Sequence, residues 1–283
     1  RLLIWQGNPG SLLLPEVSGV GSLGYNNKIM VGEDNHFTTV WQTTAANESI
    51  SLPLIDAGAH LFYVDWGDGG AHSHVASHAD SDATHTYANP GSYIIKIMGN
   101  LGGWSFADNS LSSNIIRIDK WGNFTFIGDG KHFYGCDSLE IVANDIPSFS
   151  GVSSLKASFR GTSALNDIPN ISSWDISEVT DLSYIFAHSS FNGDIGSWNT
   201  VNATTISYFM WNNIAFNQDI GSWNTEKVID ASAAFFGATS FNQDIGSWDT
   251  ALVLDMSQMF RNASQFNQDI GSWDTALVLD MSQ

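Results

Sequence analysis

Charged residues are scarce in this sequence of 283 residues, and basic residues are the scarcest of them. Charged side chains make up 14% of the chain, and 10 Lys and Arg face 29 Asp and Glu, for a formal net charge of −19. A nucleic-acid-binding surface needs clustered Lys and Arg to replace the counterions of phosphates, and docking on an anionic membrane needs the same residues. The sequence therefore predicts neither a nucleic-acid partner nor attachment to an anionic membrane surface.

Cysteine and long apolar runs are rare or missing as well. Cys136 is the single cysteine, which excludes a disulfide framework and any zinc site built from several thiolates. The sequence contains no run of about 18 apolar residues, the length that a transmembrane helix requires. We therefore predict no transmembrane segment, and the acidic composition favours an extracellular, cell-surface location.

Catalytic signatures are missing too. The sequence contains no G-x-S-x-G, H-E-x-x-H or G-x-x-x-x-G-K-[ST] motif, and paired carboxylates are uninformative in so acidic a chain. Cys136 stands where other copies of an internal repeat carry Thr or Ala, which indicates a small buried residue rather than a nucleophile. We predict a non-enzymatic protein that requires no cofactor, with part of an extracellular hydrolase as the remote alternative.

A repeat of about 25 residues occupies the second half of the sequence. Residues 241–258 and 266–283 are identical to one another, and residues 191–200 and 216–225 carry a related sequence. The repeat is marked by Trp174, Trp198, Trp223, Trp248 and Trp273. Looser copies place the start of the array near residue 113. Because the last copy stops before its final residues, we expect the chain to be a fragment of a longer polypeptide.

Each repeat combines two periodicities. The Asp-Ile-Gly-Ser-Trp segment is too short for a helix and predicts a short strand. After the Trp, apolar residues follow an i, i+3, i+6, i+7 spacing, which predicts a short helix. Examples are Val253, Met256, Met259 and Phe260. One strand and one helix cannot bury this apolar stripe, whereas stacked copies can, so we predict a right-handed α/β solenoid of 25–26-residue units.

Residues 35–112 have a different pattern. Runs rich in β-branched and aromatic residues, separated by Gly, Asp, Asn and Pro, predict short strands. These runs are residues 36–44, 49–55, 60–66 and 92–99. Short strands with such turns favour an all-β sandwich. The Gly-rich residues 1–34 either complete a preceding domain or add a strand, so the predicted domains are residues 1–34, 35–112 and 113–283.

Two family resemblances follow from these motifs. The array resembles the BspA-type repeat of bacterial surface proteins, a relative of leucine-rich repeats, because residues 241–263 follow its pattern FNxDIxxWDxSxVTxMxxMFxxA. It departs from that pattern at residues 250–252, and Trp211 is a bulky insert. Residues 35–112 resemble a PKD-type, Ig-like sandwich through VDWGDG at 64–69 and THTYANPGSY at 84–93.

These resemblances imply a multidomain, secreted or cell-surface protein without enzymatic activity. It would act in adhesion or as a structural subunit of an extracellular appendage or filament. A carbohydrate-binding surface module is the alternative. The expected partners are other protein subunits or cell-surface glycans.

Stacking at one repeat per layer would align polar residues into rows. The rows are Asn217, Asn242 and Asn267, and Asp194, Asp219, Asp244 and Asp269. In the structural interpretation these side chains hydrogen-bond the neighbouring backbone and hold its turns. In the alternative, the aligned carboxylates hold calcium as a counter-ion.

The tryptophans Trp198, Trp223 and Trp248 also have two interpretations. Buried, they would fill the core. Exposed beside the polar rows, they would form a carbohydrate platform. The periodicity does not decide between the two sides.

The densest group of metal-ligand residue types lies between the two PKD-type motifs. It consists of His72, His74, His78, Asp80 and Asp82. Imidazoles suit zinc or copper, but the spacing matches no established site, and a tolerant loop is the alternative. Asp65 and Asp68 are interpreted as turn formers, and His85 as a packing residue.

Five N-x-[ST] sequons predict glycosylation if the protein is secreted from a eukaryotic cell. They are Asn47, Asn123, Asn170, Asn202 and Asn262. The apolar end of a stacked array also predicts head-to-tail self-association, which generates filaments when it does not close. Calcium would support such an assembly by neutralising acidic charge.

Overall fold

The computed structural model describes residues 35–107 and 111–282. Within these residues the chain forms strands and turns, two three-residue 3₁₀ helices (Ser81–Ala83 and Ile171–Ser173) and no α-helix. The strands are β1 (Phe37–Thr43), β2 (Glu48–Ser51), β3 (Leu61–Asp65), β4 (Ser73–Val75), β5 (Thr84–Tyr87), β6 (Gly91–Asn100), β7 (Ile115–Lys120) and β8 (Glu140–Ile141).

Six of the strands form one mixed sheet in the order β4-β3-β6-β1-β7-β8. All neighbours in this sheet are antiparallel except β7 and β8, which are parallel. β1 lies inside the sheet, and its residues are β-branched or aromatic at six of seven positions, which suits a strand buried on both faces. β2 and β5 form a separate two-stranded antiparallel sheet.

The runs predicted as strands between residues 36 and 99 coincide with β1, β2, β3 and β6. β2 ends at Ser51, two residues before Pro53. Proline has no N–H for a ladder hydrogen bond, so the strand stops there. A β-sheet domain is therefore present, and its six-stranded sheet continues through β7 and β8 into the repeats.

The passage from sheet to repeats is made by β7 and β8. β7 pairs with β1 through Trp41 and Ile115, and β8 pairs with β7 through Ile118 and Ile141. Beyond them, single parallel bridges join each repeat to the next. The bridges are Thr125–Ser148, Ser154–Asp181, Asp181–Thr205, Thr205–Asp230, Asp230–Asp255 and Asp255–Asp280. We call residues 121–282, which these contacts pile up layer on layer, the repeat stack.

The prediction of an α/β, leucine-rich-repeat-like solenoid is wrong, because the segment after each Trp is a series of turns. In an α-helix every N–H bonds the carbonyl four residues earlier. Here the N–H of Ile185 bonds the carbonyl of Leu182, three residues earlier, at 3.3 Å. The N–H of Tyr184 bonds Ser207 in the next repeat at 3.0 Å. An apolar residue at every third position therefore fits consecutive turns as well as a helix.

The core is continuous through both regions. A single cluster of buried residues extends from Phe37 in β1 to Met259 in the repeat stack. Trp121 lies where the regions meet and packs edge-on against Trp174, with ring centroids 5.9 Å apart. Further along, phenylalanines stack from repeat to repeat, as Phe216 does on Phe241 at 6.0 Å. The sheet and the stack therefore share one apolar interior.

Candidate functional site

The tryptophans of the repeat lie inside the stack. Trp198, Trp223 and Trp248 are 3%, 5% and 5% exposed, and their rings are stacked with centroids 6.3 Å apart. Each indole N–H donates to a carbonyl of the preceding repeat, as Trp223 does to Ile195 at 3.0 Å. The face that a sugar ring would need is covered by the neighbouring repeats, so these residues form no carbohydrate platform.

The Asn row joins adjacent repeats. The Oδ1 atom of Asn217 accepts the backbone N–H of Asn242 and the side-chain amide of Gln243, both at 2.9 Å. Asn242 makes the same pair of bonds to Asn267 and Gln268, at 2.8 and 3.0 Å. Because every partner belongs to the protein itself, this row acts as an inter-repeat clamp.

The Asp row holds turns. Oδ1 of Asp219 accepts the backbone N–H of Gly221, two residues later, at 2.9 Å. The same bond forms at Asp194, Asp244 and Asp269. A Cβ at Gly221 would lie 2.5 Å from the Asp244 carbonyl oxygen, so glycine permits the close approach of the next repeat. Within the described residues, no three His, Cys, Asp or Glu side chains form a group that could hold a metal ion.

The histidines between the PKD-type motifs have separate partners. His72 lies 3.9 Å from Asp65, and His78 lies 3.5 Å from Asp56. His74 packs on Tyr63. The group predicted as a zinc or copper site is therefore spread over different contacts.

Asp80 in the same group caps a 3₁₀ helix. Its carboxylate accepts the backbone N–H groups of Ala76 and Asp82, at 3.0 and 3.1 Å. These two hydrogen bonds lower the pKa of the Asp80 carboxyl. Asp82 is exposed. The carboxylate of Asp80 is thus occupied by backbone donors.

Asp65 and Asp68 each accept the backbone N–H two residues later, at 3.0 and 2.9 Å, as turn formers do. Asp68 also lies 2.7 Å from His85 Nε2. The backbone hydrogen bond from Gly70 is the largest cause that lowers the pKa of Asp68, and His85 adds to it. The His85 ring stacks on Trp66 at 5.2 Å, which is a packing role.

The sequon asparagines differ in their contacts. Asn47 and Asn262 are exposed. The side-chain amides of Asn123, Asn170 and Asn202 donate to backbone carbonyls elsewhere in the chain. A glycan could therefore be attached at Asn47 or Asn262 without breaking a side-chain hydrogen bond of the fold.

Two buried titratable groups are held uncharged. Cys136 is buried, and burial raises the pKa of its thiol well above the usual value. His132 is fully buried beside Ser158, with Nδ1 and Oγ 2.9 Å apart, and burial lowers the pKa of its imidazole to about 3. A protonated, inaccessible thiol is a poor nucleophile, which agrees with a structural role for Cys136.

A second set of recurring positions carries exposed or partly exposed side chains wherever the residue is larger than alanine. At one recurring position of the repeat, the residue adopts a positive φ of 50–59° and donates its N–H to the next repeat. These residues are Lys131, Ala157, Tyr184, Tyr208, Ala233 and Gln258. Positive φ is uncommon for bulky residues and costs roughly 1–2 kcal/mol without glycine. Since alanine fills the position in two repeats, the tyrosines at 184 and 208 are not required by the turn.

Three residues after this position, a second outward row begins. It contains Tyr134, Arg160, Trp211, Phe236 and Arg261. Tyr184 stacks on Tyr208 with centroids 4.4 Å apart, and Trp211 meets the Tyr208 ring edge-on at 5.4 Å. The two rows thus bring an aromatic cluster to the surface. We call Lys131, Tyr134, Lys156, Arg160, Tyr184, Tyr208 and Trp211 the aromatic–cation face.

Arg160 lies at the centre of this face. Its guanidinium carbon is 5.5 Å from the ring centre of Tyr134, 5.1 Å from that of Tyr184 and 5.4 Å from that of Trp211. Cation–π contacts occur within about 6 Å and contribute roughly 0.5–1 kcal/mol each at exposed sites. Three rings around one guanidinium therefore hold its planar fork in place.

A cleft of about 330 Å³ opens beside Arg160. It is lined by Ala107, Lys131, Tyr134, Lys156, Ala157, Arg160 and Tyr184. The lining contains three of the chain's 10 basic residues and no carboxylate. None of the three forms an ion pair with a carboxylate of the described residues. A positive cleft has thus formed on a protein of net charge −19.

Titration near the face reflects this charge. Burial, followed by the nearby Arg160, lowers the pKa of His188, whose ring lies 4.5 Å from Trp211. Burial, followed by Tyr208, raises the pKa of the Tyr184 hydroxyl. At neutral pH the charges of the cleft are therefore those of its Lys and Arg side chains.

The sequence patterns did not predict this face, because they rest on the residues that recur from repeat to repeat. The face consists of their differences: Tyr at 184 and 208 where other copies have Ala or Gln, and Arg160 and Trp211 in the next row. The bulky insert at Trp211 was the visible signal. Aligning the copies and asking where large or basic residues replace small ones would have found the remainder.

Comparison with known proteins places the repeats in one family. The family described as Mycoplasma protein of unknown function, DUF285, matches residues 130–237 and residues 189–283. The two matches overlap and together cover more than half of the chain. No curated protein and no solved structure matches the sequence. The match does not support a BspA-type repeat or a PKD-type domain, so both resemblances inferred from the sequence motifs are wrong.

Proposed function

The chain belongs to the DUF285 family of Mycoplasma proteins of unknown function, and we propose that it is a secreted or cell-surface, non-enzymatic adhesion protein. In this proposal the repeat stack is the scaffold and the aromatic–cation face is the adhesive surface. The observation that carries it is a cleft lined by Arg160 and two lysines, with three aromatic rings around the Arg160 guanidinium.

The division between inside and outside supports this role. The repeated Trp, Asn and Asp residues all satisfy bonds within the stack. By contrast, Lys131 and Lys156 are exposed, and Tyr184, Tyr208 and Trp211 keep partly exposed rings. Tyr, Trp and Arg are the residue types that dominate binding surfaces. The outward rows are therefore the part of the stack available to a partner.

A non-enzymatic role agrees with the state of the buried titratable groups. The pKa of Cys136 is raised and that of His132 lowered, so both are neutral at pH 7 and neither is exposed. In the part of the chain that the structure describes, no helix has the length and apolar character to cross a bilayer. Display at a cell surface is proposed from composition and is tested by antibody labelling of intact cells.

Adhesion is tested with beads coated with the whole chain and incubated with cells. Replacing Lys131, Lys156 and Arg160 by Gln should abolish bead attachment. Replacing Lys96, Lys227 and Arg261 by Gln removes the same charge elsewhere and should leave attachment intact. Equal attachment of the two triple variants, or turnover of a substrate by the purified chain, would refute the proposal.

A further inference from the structure

Resting on this proposed function, we infer that the aromatic–cation face binds anionic saccharide units, whose sugar ring packs against the tyrosines that line the cleft beside Arg160 and whose carboxylate or sulfate meets Lys131, Lys156 and Arg160. The cleft beside Arg160 is the binding site for this ligand.

The charge of the cleft requires an anion. Three basic side chains converge there without a carboxylate in the lining and without an ion pair among the described residues. Like charges held together repel one another, and a bound anion relieves that repulsion. The guanidinium presents its donors in a planar fork that matches carboxylate and sulfate oxygens. The carboxylates elsewhere on the protein would repel an anionic ligand, but this repulsion is screened within about 8 Å at physiological salt.

The rings require more than a bare anion. Two tyrosines, Tyr134 and Tyr184, line the cleft itself. Tyr208 stacks on Tyr184 at 4.4 Å, and Trp211 stands edge-on to Tyr208 at 5.4 Å, so these two rings extend the aromatic surface beside the cleft. A sulfate or phosphate ion gains nothing from an aromatic surface. The C–H face of a pyranose ring does, because it is apolar and its edges carry the polar groups. A cleft of about 330 Å³ is at the lower end of the range of small-ligand sites, which fits a short saccharide.

Nucleic acid also combines bases with phosphates, but the face suits it poorly. Its affinity comes from many phosphate contacts, each matched by a Lys or Arg. The cleft offers three such residues, and the chain as a whole carries −19. A single acidic group on a sugar needs no more than the cleft provides.

The site is also prepared for its ligand before binding. The rings at 134, 184 and 211 hold the Arg160 guanidinium from three sides. A side chain already confined loses less freedom when it binds. Tyr184 and Tyr208 both occupy positive-φ positions that other repeats fill with Lys, Ala or Gln, so the turn itself does not require them.

The test is a calorimetric titration of the whole chain with four probes: trigalacturonate, a sulfated galactose trisaccharide, neutral galactotriose and inorganic sulfate. We expect at least one acidic trisaccharide to bind about tenfold or more tightly than galactotriose and than inorganic sulfate. The first two probes distinguish a carboxylate from a sulfate ligand. Equal binding of neutral and acidic sugars, or no binding of either acidic sugar, would overturn the inference.

Variants locate the site. Arg160→Gln should lower the affinity for the acidic trisaccharide by about tenfold or more, and Tyr184→Leu should lower it by a similar factor. Arg261→Gln is the matched control, because Arg261 also lies over a ring, Phe236, at 5.6 Å, but away from the cleft. An unchanged urea midpoint verifies that each variant is folded. If Arg160→Gln is impaired in folding, the Lys131→Gln/Lys156→Gln pair, both exposed, makes the same test.

The bead experiment separates this inference from the proposed function. If the acidic sugars do not bind but the cleft variants still abolish bead attachment, the saccharide ligand is refuted and the adhesive role is retained. If the acidic sugars bind but the beads do not attach to cells, the adhesive role is refuted and the binding site is retained. Binding that Arg160→Gln and Arg261→Gln reduce equally would overturn the assignment of the cleft.

Discussion

The sheet region and the repeat stack obtain the same turn conformation in different ways. Among the described residues before 107, positive φ occurs at Gly58, Gly67, Gly69 and Gly99 and, apart from glycine, at Asn47. In the stack, glycines adopt it as well, but so do ten other residues, and six of these occupy the same position of successive repeats and include two tyrosines. Glycine reaches this conformation at no steric cost, whereas other residues need neighbours that impose it.

The difference shows what repetition supplies. Each of these six residues donates its N–H to the next repeat, as Ala233 does to Ser257 at 2.8 Å. Neighbouring layers thereby fix the turn, and its side chain is free to vary. The sheet region has no such neighbours, so its turns depend on residue type. The stack can therefore place unusual residues outward while its inward rows stay alike.

The largest effect should come from breaking an inward row. We expect Trp223→Ala to lower the free energy of unfolding by about 3–5 kcal/mol, because it leaves a cavity between two stacked rings. It also leaves the Ile195 carbonyl without its indole donor. Trp211→Ala, on the outward row, is the control and should cost about 1 kcal/mol. Urea unfolding measures both, and equal losses would contradict the assignment of inside and outside.

A pH effect should appear at His132, in the first layers of the stack. The pKa of this imidazole is about 3 in the folded protein, below its usual 6.5. The unfolded chain therefore binds more protons between these pH values, and stability falls as pH drops from about 6.5 towards 3. The loss should be on the order of a few kcal/mol.

His132→Phe should remove this contribution. The variant loses its bond to Ser158 at all pH values, so its stability shifts by a constant amount. Its unfolding free energy should vary less steeply with pH than that of the unchanged protein. Parallel curves would show that the buried imidazole does not carry the dependence.

A glycine substitution in the stack should change the stability in opposite directions for a turn and for a helix. Gln258 has a φ of 55°, so Gln258→Gly should stabilise the protein by about 0.5–1 kcal/mol. In a helix the same change would cost about 1 kcal/mol. Gly99→Ala in the sheet region should do the opposite, because its Cβ would lie 2.6 Å from the Leu61 carbonyl oxygen. Thermal melting of both variants tests the comparison.

The smallest effect should come from the Asp row. Asp219→Asn keeps an oxygen that accepts the Gly221 N–H, so stability should change by less than about 0.5 kcal/mol. A chelator should leave the melting temperature unchanged if the row holds only its own turns. A clear fall on chelation, absent in the Asn variant, would restore calcium as the counter-ion of the row.

Sequence patterns predicted the parts of the fold that repeat or alternate. The strand runs in residues 36–99 coincide with β1, β2, β3 and β6 because alternation and turn residues carry strong local signals. The 25-residue spacing of tryptophans predicted stacking in register. The i, i+3, i+6, i+7 stripe did not specify the backbone, because turns repeated every three residues bury the same positions as a helix.

The candidate site was less predictable. Asp219 and Asn217 stood out because they recur, yet recurrence here reflects bonds between layers. Arg160, Tyr184 and Trp211 come together only because successive layers align residues about 25 positions apart. Their convergence depends on the register of turns, which the helical interpretation placed wrongly.

Inward tryptophans that build the stack and outward aromatic residues that bind a ligand should respond differently to that ligand. Their indole N–H signals can be followed in an NMR titration of the whole chain with an acidic trisaccharide. We expect the Trp211 signal to shift, whereas the signals of Trp198, Trp223 and Trp248, whose indole N–H groups bond carbonyls inside the stack, should not move. Shifts of the three inner signals with Trp211 unchanged would contradict this expectation.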